Sequence, residues 1–223
     1  MIVQIYTMQT PEEAVQVARL GVDHVGVTPS NHGLPGEISV DTARRIFRAI
    51  GSSAVKVALT VDTDADVIVD MVTKVEPDLL HLCGPIAGIS PDGVRRLRER
   101  VAGVRIMQAI PMGGDDALSL ALAYQECADI LLLDSQAPDI PGIGASGETH
   151  DWNKSAEIVK RVRVPVILAG GLSPDNVEEA IRKVRPWGVD SLTHTNLPLG
   201  NGSFRKDLEK VRRFAARAKR EDL

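Results

Sequence analysis

Aromatic side chains are scarce in this sequence: three Phe, two Tyr and two Trp among 223 residues. A core for a chain of this length must then be filled by Val, Ile, Leu and Ala, which suits the layered interior of a parallel sheet covered on both faces. Cysteine is nearly absent too. Cys83 and Cys127 each stand within an apolar run. That pattern argues against a disulfide framework and for buried free thiols in a reducing compartment. No stretch approaches the roughly 18 uninterrupted apolar residues of a membrane span. The first strand begins at Ile2, with no charged or apolar leader before it, so neither a signal peptide nor a membrane partner is expected and the chain reads as cytoplasmic. An excess of positive charge is also missing. The 26 bases and 30 acids are well mixed and leave a net charge of −4. This argues against nucleic acid as a partner.

What is present is an alternation. Short runs rich in Val, Ile and Leu fall at Ile2–Tyr6, His24–Val27, Ala54–Val61, Leu79–Cys83, Val104–Ile110, Ile130–Asp134, Val164–Ala169 and Gly188–Leu192. They show little polar alternation, as expected of strands buried on both faces. Segments of helical period lie between them and carry start signals. Thr10-Pro11-Glu12-Glu13 offers a capping hydroxyl, a first-turn proline and carboxylates near the positive end of the helix dipole. Ser39-Val40-Asp41 and Ser90-Pro91-Asp92 open two further helices. Ser173-Pro174-Asp175 opens another, with the stripe Val177, Ala180, Ile181 and Val184. A last helix is expected from Phe204 to about Arg217. Eight strand–helix units predict one closed parallel (β/α)8 TIM barrel over residues 1–223, with a doubly wound open sheet as the alternative.

Barrel active sites lie at the C-terminal ends of the strands. Ile167 to Val177 runs from a strand through Gly170-Gly171-Leu172 into a capped helix. Glycines let backbone N–H groups approach an anion, and helix N-termini favour phosphate. A tight strand-to-helix turn is the plainer alternative. A second glycine-rich stretch, Pro141 to Trp152, follows Asp134-Ser135 and suits a loop that closes over a substrate, with Trp152 anchoring its end. Asp62, Asp64 and Asp66 read as a helix N-terminal turn, or less simply as a cation site. His32, His81, His150 and His194 fall at or near strand ends. Histidine suits proton transfer near neutral pH. Without a close-spaced pair such as His-x-His, no metal and no cofactor are assigned.

Three segments resemble phosphoribosylanthranilate isomerase, the tryptophan-pathway barrel. Leu131 to Ser135 with Gly144 to Trp152 is similar to that family's acid strand and its following loop. Leu168 to Ala180 is similar to its Leu-Ala-Gly-Gly-Leu-x-Pro-x-Asn-Val segment. Pro186 to Asp190, with Arg205-Lys206-Asp207 and Phe214, is similar to its C-terminal block. Residues 1–20 agree in pattern, and Leu80-His81-Leu82-Cys83-Gly84 stands where the family has Gln-Leu-His-Gly.

The departures fall on catalytic positions. Tyr6 occupies the place of the family's general-base cysteine. The loop Pro29 to Glu37 lacks the family's substrate-holding arginine. Ser191-Leu192-Thr193-His194-Thr195-Asn196 replaces Val-Ser-Ser-Gly-Val-Glu, so a histidine stands at the small glycine.

The resemblance implies an isomerase in which an acid protonates the furanose oxygen and a base removes the C2 proton of the resulting imine. Asp134 is expected as the acid, with His81, His194 or an activated Tyr6 as the other catalytic groups. An unperturbed phenol, with a pKa of ~10, is a poor base at neutral pH, so altered or reduced activity is expected. Gly147, Gly170, Gly171, Leu172, Thr193 and His194 are expected to bind phosphate. The expected partner is a phosphorylated small-molecule substrate, on a monomer or homodimer. A non-catalytic barrel that binds a phosphorylated ligand and regulates or scaffolds is the other reading.

Overall fold

Eight parallel strands close on themselves in strict chain order in the computed structural model, which describes residues 1–136, 142–144, 146–200 and 202–220. They are β1 (Ile2–Ile5), β2 (His24–Val27), β3 (Val55–Thr60), β4 (Leu79–Leu82), β5 (Arg105–Pro111), β6 (Ile130–Asp134), β7 (Val166–Leu168) and β8 (Gly188–Ser191). Closure comes from β1 pairing with both β2 and β8, in the latter case with Gln4 opposite Asp190. A closed (β/α)8 barrel, not an open doubly wound sheet, is therefore the architecture. Among the described residues no helix is long and apolar enough to cross a membrane.

The helices wrap the outside: α1 (Pro11–Ala18), α2 (Val40–Ile50), α3 (Ala65–Val75), α4 (Pro91–Arg100), α5 (Ala117–Tyr124), α6 (Trp152–Arg161), α7 (Val177–Val184) and α8 (Leu208–Arg220). Their starts follow the local chemistry. The Thr10, Ser39 and Ser90 hydroxyls accept from the amides of Glu13, Thr42 and Gly93. Asp64 caps α3 by accepting from the amides of Asp66 and Val67. The acidic run thus serves a helix start, and its remaining member, Asp62, pairs with His32 at 3.0 Å. The Ser173-Pro174-Asp175 signal lies one turn early. α7 begins at Val177 with Asn176 at its cap, and the Asn176 side chain accepts from the Ser173 amide at 2.8 Å.

The other correction is larger. Phe204 does not open the last helix. Residues Asn196–Gly200 (β9) and Ser203–Lys206 (β10) form an antiparallel hairpin, and α8 begins at Leu208. Glu13 Oε1 accepts from the Lys206 amide at 2.5 Å and ties this hairpin to α1.

Two apolar layers fill the molecule. The outer one lies between strands and helices, with Val3, Ile5, Ile46, Leu80, Ile106, Leu131 and Phe214 among its fully buried members. The inner one fills the barrel and contains Tyr6, Val57, Leu79, Met107, Ile130, Leu132, Ile167 and Ala169. Tyr6 fits only because its neighbour on β2 is a glycine: a Cβ on Gly26 would stand 2.2 Å from the Tyr6 ring.

Candidate active site

Two adjoining cavities open at the C-terminal ends of the strands. Asp134, Asp190 and Leu192 line both.

The first cavity is walled by Gly147, Gly170, Gly171, Leu172, Ser191, Thr193 and His194. Gly170 and Gly171 have φ of 79° and 61°. A Cβ on Gly171 would meet the Glu148–Thr149 backbone at 2.7 Å, and one on Gly170 would meet Ser135 Oγ at the same distance. Side chains are excluded there by both torsion and space. Among the described residues the hydrogen bonds include no acceptor for the backbone amides of Gly170, Gly171, Leu172, Thr193 and His194. Amides left unpaired at the mouth of a barrel suit an oxyanion. His194 is exposed, and its Nε2 donates to the Gly147 carbonyl at 3.0 Å, which fastens the loop after β6 to the turn after β8.

The second cavity is small, about 60 Å³, and half-open to solvent. Tyr6, Thr28, Leu34, Pro35, Leu59, Val61, His81, Cys83, Ile143 and Gly144 complete its wall. The structure brings Tyr6, His81 and Asp134 together here. His194 lines only the first cavity.

Asp134 ends β6, and its Oδ1 accepts from the Ser135 amide at 2.7 Å. Burial, followed by the charge of Asp190, pushes its carboxyl up to about 8. Asp190 itself is raised to about 7 by burial, against the pull of the Gln4 side chain and the Lys206 ammonium. The Lys206 ammonium donates to the Tyr6 carbonyl, to Leu192 O at 3.3 Å and to Asn196 Oδ1 at 2.5 Å. Two carboxyl groups thus share a desolvated mouth, where both cannot easily ionise.

Tyr6 is 2 % exposed. Burial first, then the charges of Cys83 and Asp190, hold its phenol well above its ordinary range. Its hydroxyl is hydrogen-bonded to His81 Nδ1 at 2.9 Å, and His81 Nε2 to Cys83 Sγ at 3.1 Å. Burial lowers His81 to about 3, so the ring is neutral.

The other histidines serve the scaffold. His150 Nε2 meets Ser155 Oγ at 2.8 Å, and burial lowers its pKa to about 4. The loop after β2 is built on Glu37, which accepts from Ser30 Oγ at 2.7 Å and from the amides of His32, Gly33 and Leu34. Among the described residues no three His, Cys, Asp or Glu side chains converge as a metal site. Pro141 and Ala145 of the glycine-rich stretch lie outside the described residues. Trp152, expected to anchor the end of that stretch, opens α6 and packs on the outer core.

The sequence places Cys83 at a strand end without assigning it a role, and it singles out neither Asp190 nor Lys206 as a site residue. A lone acid inside the short apolar run Gly188–Leu192 was a usable signal, since a buried carboxylate needs a reason. So was the His81–Cys83 spacing, because residues two apart on a strand share a face.

The family model described as N-(5'phosphoribosyl)anthranilate (PRA) isomerase matches residues 3–216. The N-(5'-phosphoribosyl)anthranilate isomerase of Methanocella arvoryzae is 36% identical over 95% of each chain. That of Haloferax volcanii is 37% identical over 96% of this chain and 90% of its own. Among solved structures, phosphoribosyl anthranilate isomerase from Thermotoga maritima superposes with a TM-score of 0.81 at 29% identity, covering 98% of this chain and 99% of its own. A phosphoribosyl anthranilate isomerase solved with reduced 1-(o-carboxyphenylamino)-1-deoxyribulose 5-phosphate gives 0.77 at 26% identity, with the same coverage.

Proposed function

The chain belongs to the N-(5'-phosphoribosyl)anthranilate isomerase family, and on that premise we propose that it isomerises a phosphorylated N-substituted ribosylamine by proton transfer, with low activity toward the anthranilate compound itself. The observation that carries this reading is Asp134, raised to about 8 where the two cavities meet. A carboxyl group in that state is protonated at neutral pH and is able to donate to a ring oxygen. The phosphate occupies the first cavity, on the amides of Gly170, Gly171, Leu172, Thr193 and His194, with the Gly147 loop alongside. The sugar lies across Asp134, and the substituent on nitrogen fills the second cavity. Two buried free thiols suit a reducing compartment, and we assign the chain to the cytoplasm.

Tyr6, enclosed and held well above its ordinary range, takes no proton at neutral pH and is not the base. The low activity toward anthranilate is supported by the second cavity, whose mostly apolar wall adds Tyr6, Thr28, His81 and two acids, with no Lys or Arg among its described lining residues. An anthranilate carboxylate there gives up water for the neighbourhood of Asp134 and Asp190, which costs several kcal/mol without a partner of opposite charge. A substituent without that carboxylate fits better.

Tyr6 also favours a second reading, a barrel that binds a phosphorylated ligand without turning it over. Fluorescence assays on N-(5'-phosphoribosyl)anthranilate and N-(5'-phosphoribosyl)aniline separate the possibilities. The proposal expects the aniline compound to have the higher kcat/KM, by about tenfold or more. A turnover of the anthranilate compound near the ~10 s⁻¹ common among enzymes overturns the low-activity claim. Binding of both with turnover of neither supports the second reading.

A further inference from the structure

The hydrogen-bonded chain Tyr6–His81–Cys83 ends on a residue that lines the same cavity as Asp134. From this arrangement we propose that Cys83, at the end of β4, is the proton-transfer group opposite Asp134, with His81 positioning it and taking its thiol proton. This role rests on the isomerase reading above.

Three observations support it. First, Cys83 directly follows β4, two residues beyond His81, and both line the second cavity. Second, both are buried, at 2 % exposure each, and touch through Nε2 and Sγ at 3.1 Å, so the contact is fixed by packing. Third, residues 142–144, after β6, lie against both Cys83 and Asp134. Ile143 donates its amide to the Cys83 carbonyl at 2.8 Å, while a Cβ on Gly144 would stand 2.5 Å from Asp134 Oδ2. One short segment therefore packs against both residues at the same cavity.

Tyr6 has a role in this arrangement that does not require it to act as a base. With Nδ1 protonated and donating to the Tyr6 hydroxyl oxygen, Nε2 is left as the acceptor for the Cys83 thiol. The resting pair is a neutral thiol and a neutral imidazole, in keeping with burial raising Cys83 and lowering His81. Charge forms only after Asp134 has reacted.

The steps balance. Asp134 gives its proton to the furanose oxygen, the C1–O bond breaks, and the nitrogen lone pair forms a cationic iminium beside the new carboxylate. Cys83 sulfur takes the C2 proton as its own proton passes to His81 Nε2. The C2–H electrons become the C1=C2 bond, and the positive charge moves from the iminium to the imidazolium. In the second half the sulfur returns a proton to C1, His81 re-protonates the sulfur, and the enol hydroxyl proton returns to Asp134. All three groups end as they began, and no oxidant or co-reactant is needed.

The test uses the full chain. Alkylation by iodoacetamide near neutral pH follows the same path, with sulfur attacking carbon while its proton goes to His81. Mass spectrometry separates Cys83 from Cys127. Cys83 in the unaltered protein is expected to label at least about tenfold faster than in His81→Gln, because the imidazole removes the thiol proton. Equal labelling rates overturn the pair whatever the substrate proves to be. In turnover, Cys83→Ala is expected to lower kcat by ~10²–10⁴-fold with KM little changed, and Cys83→Ser to fall between it and the unaltered protein. An unchanged kcat in Cys83→Ala overturns the role. If the unaltered protein turns over neither ribosylamine, the isomerase reading fails, and the labelling rates decide the thiol–imidazole pair by themselves. Should His81→Gln not fold, the kcat of the two cysteine variants decides.

Discussion

The Tyr6 hydroxyl lies 2.9 Å from His81 Nδ1, inside the barrel and closed to solvent. The hydroxyl is the hydrogen-bond partner of a buried imidazole. Tyr6→Phe keeps the ring over Gly26 and removes only the hydroxyl. It leaves a buried ring nitrogen without its partner, which costs about 1–3 kcal/mol. Urea unfolding with an unchanged m value reads the loss. A variant as stable as the parent means that the hydroxyl contributes nothing to holding His81.

Gly171→Ala tests the proposed anion-binding wall. The residue has φ of 61°, and a Cβ would press on the Glu148–Thr149 backbone at 2.7 Å. The loop after β6 must move away from the amides it helps to frame. Calorimetric titration with a sugar phosphate is expected to weaken by at least about tenfold, while the dephosphorylated sugar changes little. Equal weakening of both ligands contradicts the assignment of this wall to phosphate.

Asp134 also sets a pH dependence of stability. An aspartate unfolds to a pKa of ~3.9, and in the folded protein the group is raised to about 8. Between those values the folded chain binds more protons than the unfolded one, so this group's contribution to stability falls as pH rises and levels off above the folded value. Asp134→Asn keeps the shape and an acceptor for the Ser135 amide but carries no charge. It is expected to melt near the parent's temperature at pH ~4 and above it at pH ~8. A variant less stable than the parent at the higher pH points to a structural role for the carboxylate.

Much of this molecule was legible in its sequence. The eight apolar runs and the capping signals at Thr10, Ser39 and Ser90 act locally, so each declares itself within a few residues. The hairpin Asn196–Lys206 did not. Phe204 and Lys206 suit a helix start locally, and what makes them strand is pairing across the turn and the hold of Glu13, nearly two hundred residues earlier. The site divides in the same way. Asp134 and the Gly170-Gly171 turn show in local pattern. The pairing of Gln4 with Asp190 and the contact of Tyr6 with His81 exist only once β1 closes the barrel against β8 and its side chains meet those of β4.

The kcat of Asp134→Asn tests the central claim most directly, measured on whichever ribosylamine the unaltered protein turns over better. If Asp134 is the acid that opens the sugar ring, kcat falls by ~10²–10⁴-fold while the affinity for a sugar phosphate stays within a few-fold. Turnover equal to that of the unaltered protein would contradict the account.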